Sequence, residues 1–165
     1  MENADLRLLR AMRTRGHSPA LERVARALGK AGNHGAVWLV LNLALAAVDA
    51  GNREAWVVCA LLGPVAIGLN YAVKLLVRRP RPDLGGLLPP LGGAPSSLSF
   101  PSAHATSSFA VATAMTRVEP LGALAFLLAF ALALGRPYLG MHYPSDVLAG
   151  AILGVLLGLL VPLSI

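Results

Sequence analysis

From Gly35 to its C-terminal end the chain is a succession of five apolar runs, separated by short polar joints and one long loop. The runs extend from about Gly35 to Val48, Ala55 to Val77, Ala103 to Val118, Leu121 to Leu134 and Asp146 to Leu160. Only 13% of the residues are charged, against about a quarter in a soluble domain, and the mean hydropathy is +0.65. A chain this apolar has a bilayer as its solvent. In a bilayer the backbone must satisfy its own hydrogen bonds, so runs of this length are helices. The expected fold is all-α: an integral membrane helical bundle of about five transmembrane helices. Several runs fall short of the roughly 20 residues of a full crossing. They are extended by flanking residues, or they sit where protein fills part of the membrane. Leu, Ala, Val and Gly dominate the runs, which suits close helix–helix packing in lipid.

Residues 1–34 form a different segment, basic and polar, ahead of a single catalytic domain over 35–165. Leu6, Leu8, Leu9 and Met12, then Leu21, Val24, Ala25 and Leu28, recur at helical spacing with Arg and Glu between them. That pattern predicts amphipathic helices lying in the membrane interface. With no continuous apolar stretch, the segment does not read as a cleavable signal. The net charge is +6. No aromatic-interleaved basic surface or nucleic-acid module accompanies it, so nucleic acid is excluded as a partner. Bilayer lipids and a lipid phosphate substrate are the expected partners; the sequence does not specify homo-oligomerisation. The single Cys59 forms no intrachain disulfide. Trp38, Trp56 and Tyr143 are expected at the membrane interface, as are His17 and His34.

With five crossings the N-terminus, the Arg78–Phe100 loop and the Gly135–Pro144 connection share one side. The Gly- and Ser-rich residues 85–99 read as a mobile cover over whatever lies beneath. Lys74, Arg81, His104, Arg136, His142 and Asp146 then all lie at one membrane face. Three cations, two histidines, one carboxylate and a helix N-terminus suit a tetrahedral dianion. Lys74, Arg81 and Arg136 can neutralise phosphate oxygens. Ser102 can cap the following helix, directing the N–H groups of Ala103 and its neighbours at the anion. Pro144 favours a helix start between His142 and Asp146. Asp146 can then accept from one imidazole nitrogen of His142, leaving the other to attack phosphorus. His104 is placed to protonate the leaving alkoxide. The set needs no metal and no cofactor.

These blocks resemble the type 2 phosphatidic acid phosphatase family, whose pattern is Lys-x6-Arg-Pro, Pro-Ser-Gly-His and Ser-Arg-x5-His-x3-Asp. Lys74, Arg81 and Pro82 keep the first spacing. Arg79-Pro80 would shorten it by two and reads as a decoy. Pro101, Ser102 and His104 match the second block, and Arg136, His142 and Asp146 the third. Ala103 stands in place of the family Gly, and would be strained if that position needs a positive φ. Gly135 stands in place of the family Ser, removing a hydroxyl worth about 1 kcal/mol if it binds phosphate.

The resemblance implies a metal-independent membrane lipid phosphatase working through a phosphohistidine. Among family substrates, a polyprenyl-linked phosphate such as decaprenylphosphoryl-5-phosphoribose, used in cell-wall arabinan synthesis, is preferred. That preference rests on the compact chain and its Ala-, Leu-, Gly- and Arg-rich composition, similar to small actinobacterial members. Phosphatidylglycerophosphate, phosphatidate and polyprenyl diphosphate are alternatives. A lipid-binding scaffold is the non-enzyme alternative, though it would not need both histidines and all three cations. A transporter would carry midplane polar residues, whereas these lie at run ends. Seven basic residues precede the first run, so the positive-inside rule puts the N-terminus, and the active site with it, at the cytoplasmic face of the cell membrane.

Overall fold

The computed structural model describes residues 4–84, 90–91 and 98–163. Most of the cover expected over 85–99 therefore lies outside the described residues. The elements are α1 (Ala4–Thr14), α2 (Pro19–Ala31), a 3-10 turn (Asn33–Gly35), α3 (Ala36–Val48), α4 (Arg53–Val77), α5 (Ala103–Val118), a second 3-10 turn (Pro120–Leu124), α6 (Ala125–Tyr138) and α7 (Pro144–Leu160). Among the described residues there is no strand.

Local chemistry explains where the helices start. Ser18 caps α2, its hydroxyl accepting from the Leu21 N–H at 3.2 Å, with Pro19 at the first helical position. Ser102 caps α5. Tyr143 precedes α7, Pro144 opens it, and the Asp146 carboxylate reaches back to the Tyr143 N–H at 2.9 Å.

Helix α5 is the centre of the bundle, and every residue from Ala105 to Met115 is buried. Two of its hydroxyls bond back along the helix, Thr106 Oγ1 to Ser102 O at 3.0 Å and Ser107 Oγ to Ala103 O at 3.0 Å, which helps a polar helix to be enclosed. The tightest neighbour is α7. A Cβ on Gly154 would lie 2.4 Å from Thr106 O, on Gly158 2.4 Å from Ala110 O, and on Gly150 2.6 Å from Ser102 O. Large apolar side chains point the other way: Leu148, Ile152, Leu156 and Leu159 on α7, and Leu127, Phe130 and Leu134 on α6, are exposed. Small residues inside and large apolar ones outside is the arrangement of a bundle solvated by lipid.

By length and composition, α4 and the Pro120–Tyr138 segment can each cross a membrane, and α7 is a shorter apolar helix. The pair α2 and Asn33–Val48 passes together as a third span bent by 56°. The break is the 3-10 turn, where His34 has φ 56° and Gly35 φ 73°, left-handed values that glycine adopts without cost. The expected 34/35 boundary falls in this turn.

Two aromatic expectations are corrected. Trp38 is fully buried and donates from Nε1 to Ser108 Oγ on α5 at 2.9 Å. Trp56 is buried and donates to Asp49 Oδ2 at 2.8 Å. The small residues of α5 leave room that indoles fill, so Trp38 is core rather than an interface anchor.

Gly154→Leu is expected to lower the thermal midpoint of the detergent-solubilised protein, at the cost of about 1–3 kcal/mol typical of overpacking. Gly68→Ala, where a Cβ meets open space, is expected to leave the midpoint unchanged or slightly raised.

Candidate active site

Four helix ends meet at one end of the bundle. The last turn of α4 supplies Lys74 and the first turn of α5 supplies Ala103 and His104. The last turn of α6 supplies Arg136 and the first turn of α7 supplies Asp146. The segments flanking these helices add Arg81, Ser102 and His142. Lys74, Arg81, Ala103, His104, Arg136 and His142 line one cavity of about 380 Å³. The other two predicted residues, Ser102 and Asp146, are fully buried behind its wall. Ser102 acts there as a tie: its N–H donates to Asp146 O at 2.9 Å, joining the starts of α5 and α7. Ala103 is the first residue of α5 and has no positive φ, so its Cβ is not strained. Its N–H is one of the first-turn donors that have no intrahelical acceptor. Gly135 faces the apolar groove between α2 and α6 and does not line the cavity.

Carbonyls and sulfur are among the groups that hold the cations. Lys74 Nζ donates to Leu98 O at 2.8 Å and Ser99 O at 3.2 Å, leaving one of its three donors. Arg81 donates through one terminal nitrogen to Met141 O at 2.6 Å and approaches His142 Nε2 at 3.1 Å. Arg136 contacts Met141 Sδ at 2.8 Å, and its Nε is buried with no acceptor among the described residues. Burial pushes the Arg81 guanidinium below its ordinary value, and Asp146 opposes that shift.

These contacts assign the histidine tautomers. Arginine can only donate, so His142 Nε2 presents its lone pair and the proton sits on Nδ1. Nδ1 faces Asp146 Oδ2 at 3.6 Å and has no closer partner. Burial lowers the His142 pKa to about 3; Asp146 opposes this, while Arg81, Arg136 and Lys74 reinforce it. His104 Nε2 lies 2.9 Å from Gly29 O, and a carbonyl only accepts, so that nitrogen carries hydrogen. Helix α2 packs close here: a Cβ on Gly32 would meet His104 Cδ2 at 2.8 Å, and one on Gly29 would meet an Arg136 terminal nitrogen at 2.8 Å.

Several contributors were not legible in the motifs. Arg79, read as a decoy, donates to Asp146 Oδ1 at 2.8 Å and to Asp5 Oδ2 on α1 at 2.7 Å. Ser99 donates to Asp146 Oδ2. Asn70 is fully buried and donates to Pro101 O at 3.2 Å and Thr106 Oγ1 at 2.9 Å, steadying the turn before α5. Among the described residues no three His, Cys, Asp or Glu side chains gather as a metal-ligand set.

A family model described as the PAP2 superfamily matches residues 53–165. Decaprenylphosphoryl-5-phosphoribose phosphatase of Mycobacterium tuberculosis is 41% identical over 143 residues, 87% of this chain and 80% of that protein. The crystal structure of LpxE from Aquifex aeolicus superposes with a TM-score of 0.78 at 26% identity, covering 96% of this chain and 94% of the other. That of a transmembrane PAP2-type phosphatidylglycerolphosphate phosphatase from Bacillus subtilis gives 0.71 at 28% identity, covering 95% and 82%. The chain belongs to the PAP2 superfamily and is a membrane lipid phosphatase.

Two predictions follow from the histidine environments. Gly32→Val is expected to displace His104 and lower turnover by about tenfold to a hundredfold, the scale of a 1 Å misplacement, with an unchanged circular dichroism spectrum. For His142 the folded pKa lies below the unfolded value of about 6.5. The imidazole therefore stays neutral as pH falls, and the stability it contributes above pH 6.5 is lost progressively toward pH 3. In 15N-histidine NMR of the phosphate-free protein at pH 5.5, His142 is expected to show a neutral imidazole; a protonated signal would contradict the assignment.

Proposed function

We propose that this membrane lipid phosphatase removes the phosphate monoester of a polyprenyl-linked ribose 5-phosphate, a substrate of the decaprenylphosphoryl-5-phosphoribose type. The carrying observation is the 41% identity to a phosphatase of that name across 87% of the chain. Likeness to the phosphatidylglycerolphosphate phosphatase supports that lipid as the second reading.

In the proposed reaction the phosphate enters the cationic cavity and draws Arg81 off His142 Nε2. Lys74, Arg81, Arg136 and the first N–H groups of α5 then hold its equatorial oxygens. The freed Nε2 lone pair attacks phosphorus, the bond to the ribose oxygen breaks, and His104, doubly protonated once the phosphate anion is bound, gives its Nδ1 proton to that oxygen. His104 Nε2 is engaged by Gly29 O, so Nδ1 is the proton-transfer atom. Asp146 receives the growing positive charge on His142 through Nδ1. His104, now unprotonated, takes a proton from water as it attacks the phosphohistidine, which releases phosphate and restores Nε2. The fixed cations do the electrostatic work for which other phosphatases use a metal ion.

The membrane arrangement is proposed as α3 to α7 embedded, with α1 and α2 as amphipathic helices at the interface on the side of the site. The seven basic residues of 1–34 support a cytoplasmic site at the cell membrane.

Phosphate release from a panel of lipid phosphates in detergent with EDTA tests the chemistry. Wild type is expected to act, with the polyprenyl ribose phosphate preferred, and His142→Ala to be inactive; abolition by chelation would overturn the metal-free step. For sidedness, Gly92→Cys is expected to be protected and Gly51→Cys labelled by an impermeant thiol reagent in intact cells. Cys59 is buried and contributes little background.

A further inference from the structure

Residues 1–52 lie outside the matched family region, yet α1 reaches the carboxylate behind His142. The Arg79 guanidinium is a bridge. One terminal nitrogen donates to Asp146 Oδ1 at 2.8 Å and to Ser145 Oγ at 2.7 Å; the other donates to Asp5 Oδ2 at 2.7 Å. Its Cζ lies over the Tyr143 ring, 3.9 Å from the centroid, a cation–π contact that favours this placement. Asp5 is itself fixed, accepting from the Ser145 N–H at 3.1 Å and from the Ser145 hydroxyl. Burial opposes ionisation of Asp5, but the bonds from Ser145 and Arg79 outweigh it and hold its pKa below the ordinary carboxylate value. Asp5 is therefore an anion throughout the range in which the enzyme would work.

Bridging two carboxylates requires the planar fork of arginine; an ammonium on a flexible stem cannot hold both at these angles. The Asp146 carboxylate has one oxygen on Arg79. The other oxygen receives Ser99 Oγ and the Tyr143 N–H and faces His142 Nδ1. Rotation of the carboxylate would move the oxygen that faces the imidazole, and the bond from Arg79 opposes that rotation.

We infer that Asp5 and Arg79 are positioning residues for phosphoryl transfer: α1 clamps Arg79, Arg79 fixes Asp146, and Asp146 aims His142 Nε2. The inference rests on the reading of His142 as nucleophile. Neither residue touches the phosphate in this scheme, so the clamp acts on turnover and leaves substrate binding alone.

The test is steady-state kinetics of the full-length enzyme in detergent micelles, with thermal midpoints measured in parallel. Asp5→Asn is expected to lower kcat by about tenfold and Arg79→Gln by up to about a hundredfold, the range for residues that orient a reacting group. KM should change by less than about twofold, as for loss of an interaction made only in the transition state. Asp5→Glu is expected to recover part of the loss. Because Asp5 works through Arg79, the double variant should match Arg79→Gln alone rather than multiply the two effects. Arg79→Lys keeps the charge and serves if Arg79→Gln folds poorly; it too should lose kcat, since it cannot bridge. Wild-type kcat in Asp5→Asn, multiplicative losses, or a loss that appears only in KM or follows the thermal midpoint would overturn the clamp. His142→Ala, run alongside, separates the two ideas: activity in that variant overturns the nucleophile reading itself, whereas an inactive His142→Ala with an unaffected Asp5→Asn overturns only the clamp.

Discussion

The close approach of α5 to α7 governs the geometry of everything at the active end. Three glycines remove side chains where α7 would otherwise strike the α5 backbone, and the helices close until Ser102 N bonds Asp146 O. That bond puts the first turns of two helices in one register. His104 follows Ser102 by two residues, and His142 precedes Asp146 by four. The separation of the two histidines is therefore set by backbone packing rather than by flexible side chains. In lipid there is no hydrophobic drive between helices, so this packing rests on van der Waals contact and on satisfied polar groups. Hydroxyls of α5 bonded back onto its own carbonyls help a helix rich in Ser and Thr to occupy the centre.

The charge distribution follows from that frame. Asp146 is fully buried beside a cationic cavity, and it stays ionised because Arg79, Ser99 and the Tyr143 N–H all donate to it. Arg79 shares its one positive charge between Asp146 and Asp5. Lys74, Arg81 and Arg136 face the cavity, with carbonyl, imidazole and thioether groups among their partners. Clustering three such cations out of water costs the free protein, and a bound dianion offsets the cost; attraction at low effective dielectric is strong. The same field disfavours protonation of His142, keeping its lone pair available. One arrangement thus gathers positive charge at the cavity and holds the His142 imidazole neutral.

The residues of the candidate site were legible because their spacing relative to helix starts and stops is local. Lys74 closes α4 and Arg81 follows in the next loop, Ser102 and His104 flank the start of α5, and His142 and Asp146 flank the start of α7. The helical fold was legible for the same reason, through composition and run length. Pairings across the chain were not. Gly29 meets His104 from 75 positions away and Asp5 meets Ser145 from 140; no periodicity encodes either. Arg79 was discarded for breaking a spacing, although a guanidinium two residues before Arg81 reaches a different target from the same loop. Trp38 was placed at the interface because indoles favour it, but the thinness of α5 could only be weighed once its neighbours were known. The Gly135 replacement was weighed as a lost phosphate donor, and it faces the outer groove.

The division between legible and hidden residues has a physical basis. The cations and histidines supply charge and reactivity, and those properties reside in the residue types themselves. The direction of a ring or carboxylate depends instead on whatever packs behind it. Here that backing comes substantially from α1 and α2, which precede the matched family region. Asp5 reaches the carboxylate behind His142 through Arg79, and Gly29 holds His104 directly. Both contacts come from the basic N-terminal segment, and Gly32, Asn33 and His34 at its end line the cavity itself.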